Sequence, residues 1–272
     1  MKKTIVLLII LLIVLIPTIL FLTTFFYPIA EEYKIIRIQS DGSIYPPTDS
    51  IHKDGNTYTF TDDFYGQLIV DTNNIIIDGA DHTLYGQYNS TRTDSWVVGQ
   101  GPQQNTSSIP WTIGIDLAHA NSTNLTIKNL KIQKFYIAMY LWTSNNTIID
   151  NFLTDSIVGI LLSGDSNTLT RNNIANNEEG IFFGVNTPGN EPLNIVLNQN
   201  NFVDNDIQFS GCFCEDFDTK EALHTWDNGE MGNFWSDYQG IDNDADGIGD
   251  TPYIIDLLNL DRYPLMEPIV TR

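Results

Sequence analysis

The first long pattern along the chain is an unbroken apolar one. After Lys2 and Lys3, residues 4–30 carry no charge. About 20 apolar residues span a bilayer, whereas a cleaved export signal has an apolar core of about 7–15. The run therefore predicts a transmembrane signal-anchor over residues 1–30, with the lysines inside and the bulk of the chain extracytoplasmic. Pro17 is compatible with a membrane helix. A cleaved signal is the alternative, although YPIA (27–30) is a poor small-x-small site. After residue 35 no helical period survives. Short runs of three to five residues alternate apolar and polar positions and are broken by Asn, Asp, Ser and Gly, the pattern of short strands.

These runs recur. AMYLW (138–142), GILLS (159–163) and GIFFG (180–184) start 21 residues apart, and GIDLA (114–118) lies 24 earlier. DIQFS (206–210) follows after 26, behind the insertion NTPGNEP (186–192). A second strand recurs as NLTIKN (124–129), NTIIDN (146–151), NTLTRN (167–172) and NIVLNQN (194–200), and a third is marked by Ile132, Leu153 and Ile174. A unit this small cannot bury its apolar face alone, so the units must stack. The prediction is an all-β fold, a right-handed parallel β-helix of ~21-residue coils, about 4.8 Å per coil. Residues 58–210 would form six or seven coils in a stack roughly 30 Å tall, with an N-terminal cap at 31–57 and a C-terminal cap at 211–272. Asn129, Asn151 and Asn172 fall at similar points and suggest an amide ladder. Lys128, Asp150 and Arg171 suggest a plus–minus–plus column. The polar insert 88–111 is long enough to carry function.

At this point the chain resembles the NosD-type β-helix proteins, the periplasmic copper-binding family within the carbohydrate-binding and sugar-hydrolase β-helix group. The N-x-[TI]-I-x-N strands, the G-I-x-L strands and IDGADHTL (77–84) carry the resemblance. So does the tail, TWDNGEMGNFWSDYQGIDNDADGIGDTPYIID followed by NLDRYPLM (225–266), which is similar to the closing segment of archaeal members. The resemblance spans about residues 35–268. It implies a β-helix closed by this tail and raises a copper-accessory role.

Charge narrows the partners. Thirteen Lys and Arg stand against 34 Asp and Glu, a net charge of −21. No basic footprint for nucleic acid exists. Acidity is concentrated between Asp204 and Asp250, which favours cations. DNDADGIGD (242–250) sets Asp242, Asp244 and Asp246 at alternate positions before Gly247, a spacing used by oxygen-donor loops for Ca²⁺, with Asp250 a possible fourth ligand. The position-twelve Glu of the helix–loop–helix pattern is replaced by Tyr253, so the bland reading is a set of Asx-turns. A soft metal such as copper needs His, Cys or Met. Cys212, Cys214 and His224 are the candidate set, with Met231 an optional fourth member, against a reading in which His224 is a cap residue and Met231 fills a gap. The two cysteines equally allow a strained disulfide or two free thiols.

Trp96 and Trp111 in the insert, with Trp142 at a coil end, are candidates for stacking on a sugar, whereas Trp226 and Trp235 suit cap packing. A sugar-cleaving enzyme would need two carboxylates flanking one bond, about 5–10 Å apart. Asp116, Asp150, Asp155 and Asp165 are on the coils, with Asp150 taken up by the Lys128/Arg171 column, and such an enzyme would work in a groove beside the 88–111 insert. No catalytic residue is assigned. Three functions follow in order: a membrane-anchored module that binds cell-surface glycan or polymer with Ca²⁺ ordering its cap; a polysaccharide hydrolase, lyase or epimerase; and a copper-handling accessory protein. Five N-x-[ST] sequons begin at Asn89, Asn105, Asn121, Asn124 and Asn145.

Overall fold

The structure is a computed structural model that describes residues 32–88, 112–118, 122–184, 192–211 and 223–270, with the backbone of 96–97 and 101–102. The expected anchor lies outside the described residues, among which no helix is long and apolar enough to cross a membrane. Every described element is a strand. The strands stack in parallel, in register, in three columns. One column runs through Phe64–Val70, Ile113–Asp116, Ile137–Leu141, Val158–Leu162, Glu179–Phe183 and Ile207–Gly211. A second runs from Thr57–Phe60 through Ile76–Asp78, Thr126–Lys128, Thr147–Ile149 and Thr168–Thr170 to Val196–Asn198. The third runs from Thr83–Tyr85 through Lys131–Gln133, Phe152–Thr154, Asn173–Ala175 and Asn201–Val203 to Phe234–Trp235. The first and third columns are joined at Phe64–Val70, which pairs with both. The result is a parallel β-helix.

Alternation explains the core. The central residue of each three-residue strand points inward, so Ile77, Ile127, Ile148, Leu169 and Leu197 stack, as do Leu84, Ile132, Leu153, Ile174 and Phe202, all fully buried. Each such side chain contributes about 2 kcal/mol by leaving water. The third column then continues into the tail as an aromatic stack. Phe202 lies 4.2 Å from Trp235 at 6°, and Trp235 lies 4.2 Å from Tyr253 at 5°. Trp226 and Trp235 are buried, as expected of cap residues. Phe234–Trp235 and the bridge from Val196 to Thr225 add a further turn of helix inside the segment expected to be cap alone. At the other end, Lys34–Ile38 is likewise a parallel neighbour of Phe64–Val70, and Ile51–Asp54 closes the second column antiparallel.

The register corrects three alignments made from sequence. Gly180 stands opposite Gln208, not Asp206, because Glu179 pairs with Ile207 and Ile181 with Phe209. Asn129 is one residue off the amide ladder: Lys128 pairs with Ile149, so Asn129 aligns with Asp150 and Arg171, while Leu130 precedes Asn151, Asn172 and Asn200. The plus–minus–plus column does not form either. Lys128 pairs with Asp78 at 2.9 Å, and Arg171 with Asp150 at 2.7 Å. A slip of one residue moves a side chain to the other face, so 22-residue spacings mislead where the coil is 21.

Three polar corners link the columns. At the corner after the second column, the side-chain oxygen of each Asn accepts the backbone and amide N–H of the Asn one coil earlier: Asn172 from Asn151, Asn200 from Asn172, and Asn233 from Asn200, at 3.0–3.1 Å. The ladder ends on the buried Asp261, whose Oδ2 accepts the Asn233 backbone N–H at 2.6 Å and the Trp235 indole N–H at 2.9 Å. A carboxylate fits there because the last rung only needs to accept. Gly232 is required beside it, since a Cβ would stand 1.7 Å from Asp261 Oδ1. At the corner after the third column, Ser156, Asn177 and Asn205 repeat the scheme.

Candidate functional site

The corner after the third column carries a groove of about 940 Å³. Its floor is set by register. Gln133, Thr154, Ala175 and Val203 are stacked, so the next residues, Lys134, Asp155, Asn176 and Asp204, form an outward column. All four adopt φ between 51° and 63°, the left-handed turn that lets the chain change direction and leaves the side chain outside. The following residues point inward as the Ser156–Asn177–Asn205 ladder, which backs the groove with satisfied amides. Two residues further on, Glu178 and Asp206 form a second outward pair on adjacent coils, because Glu179 pairs with Ile207. Coils are about 4.8 Å apart, so the backbones of Asp155 and Asp204 are about 10 Å apart along the groove.

The far wall is Gly86 to Tyr88. Gly86 approaches so closely that a Cβ would lie 2.0 Å from the Lys134 carbonyl oxygen. The Tyr88 backbone N–H donates to that same carbonyl at 2.7 Å, and its hydroxyl donates to Glu178 Oε1 at 2.7 Å. Tyr65 lines the groove at one end. Ser236 of the tail secures the other, accepting the Asp204 N–H at 2.9 Å. The groove thus presents four carboxylates, one lysine and two tyrosines. Tyr88 opens the 88–111 insert, so the groove lies beside that insert, where sequence reasoning places an enzyme site. Of its residues only Asp155 is among the carboxylates that the sequence offers for a sugar-cleaving site. The missed signal is Lys134, Asp155 and Asn176 at 21-residue spacing, two positions after the strand markers Ile132, Leu153 and Ile174.

The tryptophan set is not assembled here. The Trp96 backbone forms a two-residue pair with Gly101–Pro102, but its side chain and all of Trp111 lie outside the described residues. Trp142 sits at the opposite end of its coil strand from the groove and packs edge-on against Tyr140 at 5.3 Å. Tyr140 belongs to a second apolar cluster on the first column, with Tyr136, Val158, Leu161 and Phe182, which Tyr88 joins.

The Asp loop does form a cluster. Ligand oxygens of Asp242, Asp244 and Asp246 lie within 4.8 Å of one another. The Gly247 backbone N–H, at 2.9 Å from Asp242, holds that carboxyl below its usual range, while the Asp246 charge pushes Asp244 upward. Asp250 turns away and accepts the Asn243 backbone N–H at 3.0 Å. Carboxylates alone are a hard-cation set. Copper's donors do not converge among the described residues. Cys212 and Cys214 lie outside them. Met231 is exposed and so fills no gap. Burial pushes His224 down to about 4, its ring stands edge-on to Phe183 at 4.9 Å, and its Nδ1 has no hydrogen-bond partner among the described residues.

A family model described as periplasmic copper-binding protein (NosD) matches residues 51–240. That span contains the coils, the groove and the start of the tail. No curated protein matches the chain.

Proposed function

This chain belongs to the periplasmic copper-binding protein (NosD) family, and from that premise we propose that it is a membrane-anchored, extracytoplasmic module that binds an extended surface glycan or polymer along the third-corner groove. The observation that carries this reading is the groove itself: polar side chains repeat down it at the coil spacing, beside two tyrosines whose rings can stack on sugar. Four carboxylates against Lys134 favour an amino-sugar polymer or a uronate bridged by cations. Ca²⁺ in the Asp242–Asp246 loop completes the reading, supported by the meeting of three carboxylates in the tail that closes the helix. A hydrolase or lyase in the same groove is the second reading, favoured by the carboxylates on successive coils.

The test is calorimetric titration with oligomers of an amino sugar, a neutral sugar and a uronate, the last with and without Ca²⁺. Binding of one of these, weakened at least about tenfold by Asp155→Asn with Asp204→Asn, supports the reading. No binding by any, or binding that ignores both substitutions, removes it. Chain shortening of the bound oligomer would move the assignment to the enzyme. Chelation should lower the melting temperature of the protein, and Asp244→Asn should abolish that response. Equal melting with and without chelator would make the loop purely structural.

A further inference from the structure

Four of the eight exposed large apolar side chains among the described tail residues lie on one hairpin, the other four, Leu223, Met231, Ile241 and Val270, being scattered along the tail. Ile254, Leu257, Leu258 and Leu260 are 72%, 89%, 47% and 40% exposed. Ile254 stands opposite Leu260 in the strand pair Tyr253–Ile254 with Leu260–Asp261, and the two leucines form the turn between them. Single exposed apolar residues need no explanation, but a contiguous set marks an interaction surface.

This set is held out rather than left loose. The Asp256 carboxylate accepts the backbone N–H groups of Leu258 and Asn259 and the Asn259 side-chain N–H, each at 2.8 Å. The Asn259 carbonyl accepts the Ile255 N–H at 3.1 Å. Asn259 is itself buried, and its side-chain oxygen takes the Trp226 indole N–H at 3.2 Å. The hairpin base is the Tyr253 ring stacked on Trp235. The turn is therefore anchored to the two core tryptophans, and its leucines have little room to fold inward. Fixing a contact residue before binding lowers the cost of binding.

Charge selects the occupant. Residues 223–270 hold ten Asp and Glu, of which only Asp227 and Asp261 are buried, and one Lys or Arg, Arg262. Its guanidinium is engaged by Asp227 at 2.6 and 2.9 Å. A second copy would bring the same acidic surface and be repelled. We propose that the Ile254–Leu260 hairpin is a docking knob for a partner protein whose apolar face is flanked by Lys and Arg. This inference is independent of the groove.

The full chain in a lipid nanodisc is titrated with a synthetic amphipathic Leu–Lys helix and with its Leu–Glu counterpart. The expected result is binding of the Leu–Lys peptide alone, weakened at least about tenfold by Leu257→Asp and unchanged by Asp155→Asn. Leu257→Asp adds negative charge, so a purely electrostatic contact would strengthen instead. Four results overturn the proposal: no binding; binding that Leu257→Asp leaves intact; self-association in sedimentation that Leu257→Asp abolishes, which makes the occupant a second copy; or quenching of a fluorophore at position 257 by spin-labelled nanodisc lipid, which makes it the bilayer.

Discussion

Two polar columns run along this solenoid, and they have opposite relations to water. Asn151, Asn172, Asn200 and Asn233 point into the coil, where every amide is spent on a neighbour or a carbonyl. Lys134, Asp155, Asn176 and Asp204 point out, on left-handed residues whose backbones close the corner while their side chains stay at the groove. At the groove corner the two kinds are adjacent in sequence, as in Asp155–Ser156 and Asn176–Asn177. A shift of one residue separates a group that holds coils together from one that can meet a ligand. Stability should therefore reside in the inner columns and recognition in the outer ones.

The largest break in that division is expected from Asn172→Ala. Asn172 accepts two N–H groups from Asn151 and donates to the Ile148 carbonyl and to Asn200. Removing it strands several buried groups at about 1–3 kcal/mol each. A loss of about 4 kcal/mol, or roughly 10 °C in melting temperature, is expected. A change below about 1 kcal/mol in chemical unfolding would mean that water replaces the rung and that the inner column is not what holds the coils.

Next is the end of the ladder. Burial pushes the Asp261 carboxyl from 3.8 up to about 6, against the N–H donors of Asn233, Trp235 and Tyr263. The folded state thus holds the proton more tightly than the unfolded one. Its contribution to stability is complete below about pH 4 and is lost as pH rises through about 6, a swing of about 3 kcal/mol. The difference in stability between the protein and Asp261→Asn should change by that amount between pH 4 and pH 7.5. A difference that stays flat across this range would show that the donors cancel the burial.

The apolar columns were legible in sequence because their spacing is regular and redundant: Ile132, Leu153 and Ile174 align correctly without any structure. The ladder was legible in kind but not in register. NLTIKN (124–129) stands one residue out of step with NTIIDN (146–151), so Asn129 aligns with Asp150, and composition cannot show which neighbouring Asn faces inward. The groove was nearly invisible, because its residues are polar, varied and joined only by backbone conformation. Glu178, Asp206 and Tyr88 come together from three stretches that share no motif. The Asp loop was the reverse case: its spacing stood out, yet Asp250 folds toward Asn243 instead of joining the other three.

The register correction allows a finer test. Arg171 and Asp150 meet through two hydrogen bonds at 2.7 and 2.8 Å, on side chains 43% and 26% exposed. Partly exposed pairs are worth about 0.5 kcal/mol. A double-mutant cycle with Arg171→Met and Asp150→Asn should return a coupling of about that size. The cycle of Lys128→Met with Asp150→Asn should return about zero, because Lys128 is committed to Asp78. Equal couplings in the two cycles would restore the charge column expected from spacing.

The smallest effect on folding is expected where the effect on binding is largest. Among the described residues the Asp155 and Asp204 carboxylates accept no backbone N–H that closes the corner; the turn there rests on main-chain hydrogen bonds, such as Asn176 N–H to the Val203 carbonyl at 3.0 Å. Replacing both carboxylates with amides keeps shape and removes two like charges from a groove that also holds Glu178 and Asp206. Stability should move by less than about 0.5 kcal/mol, and upward, as repulsion is relieved. Asn177→Ala, one residue beyond the outer column, should by contrast cost about 2–3 kcal/mol, since it removes the acceptor of the Ser156 N–H and the donor to Asn205. Melting curves of the two variants side by side decide the matter. If the outer pair proves as costly as Asn177, the groove is a structural seam rather than a surface kept free for a ligand.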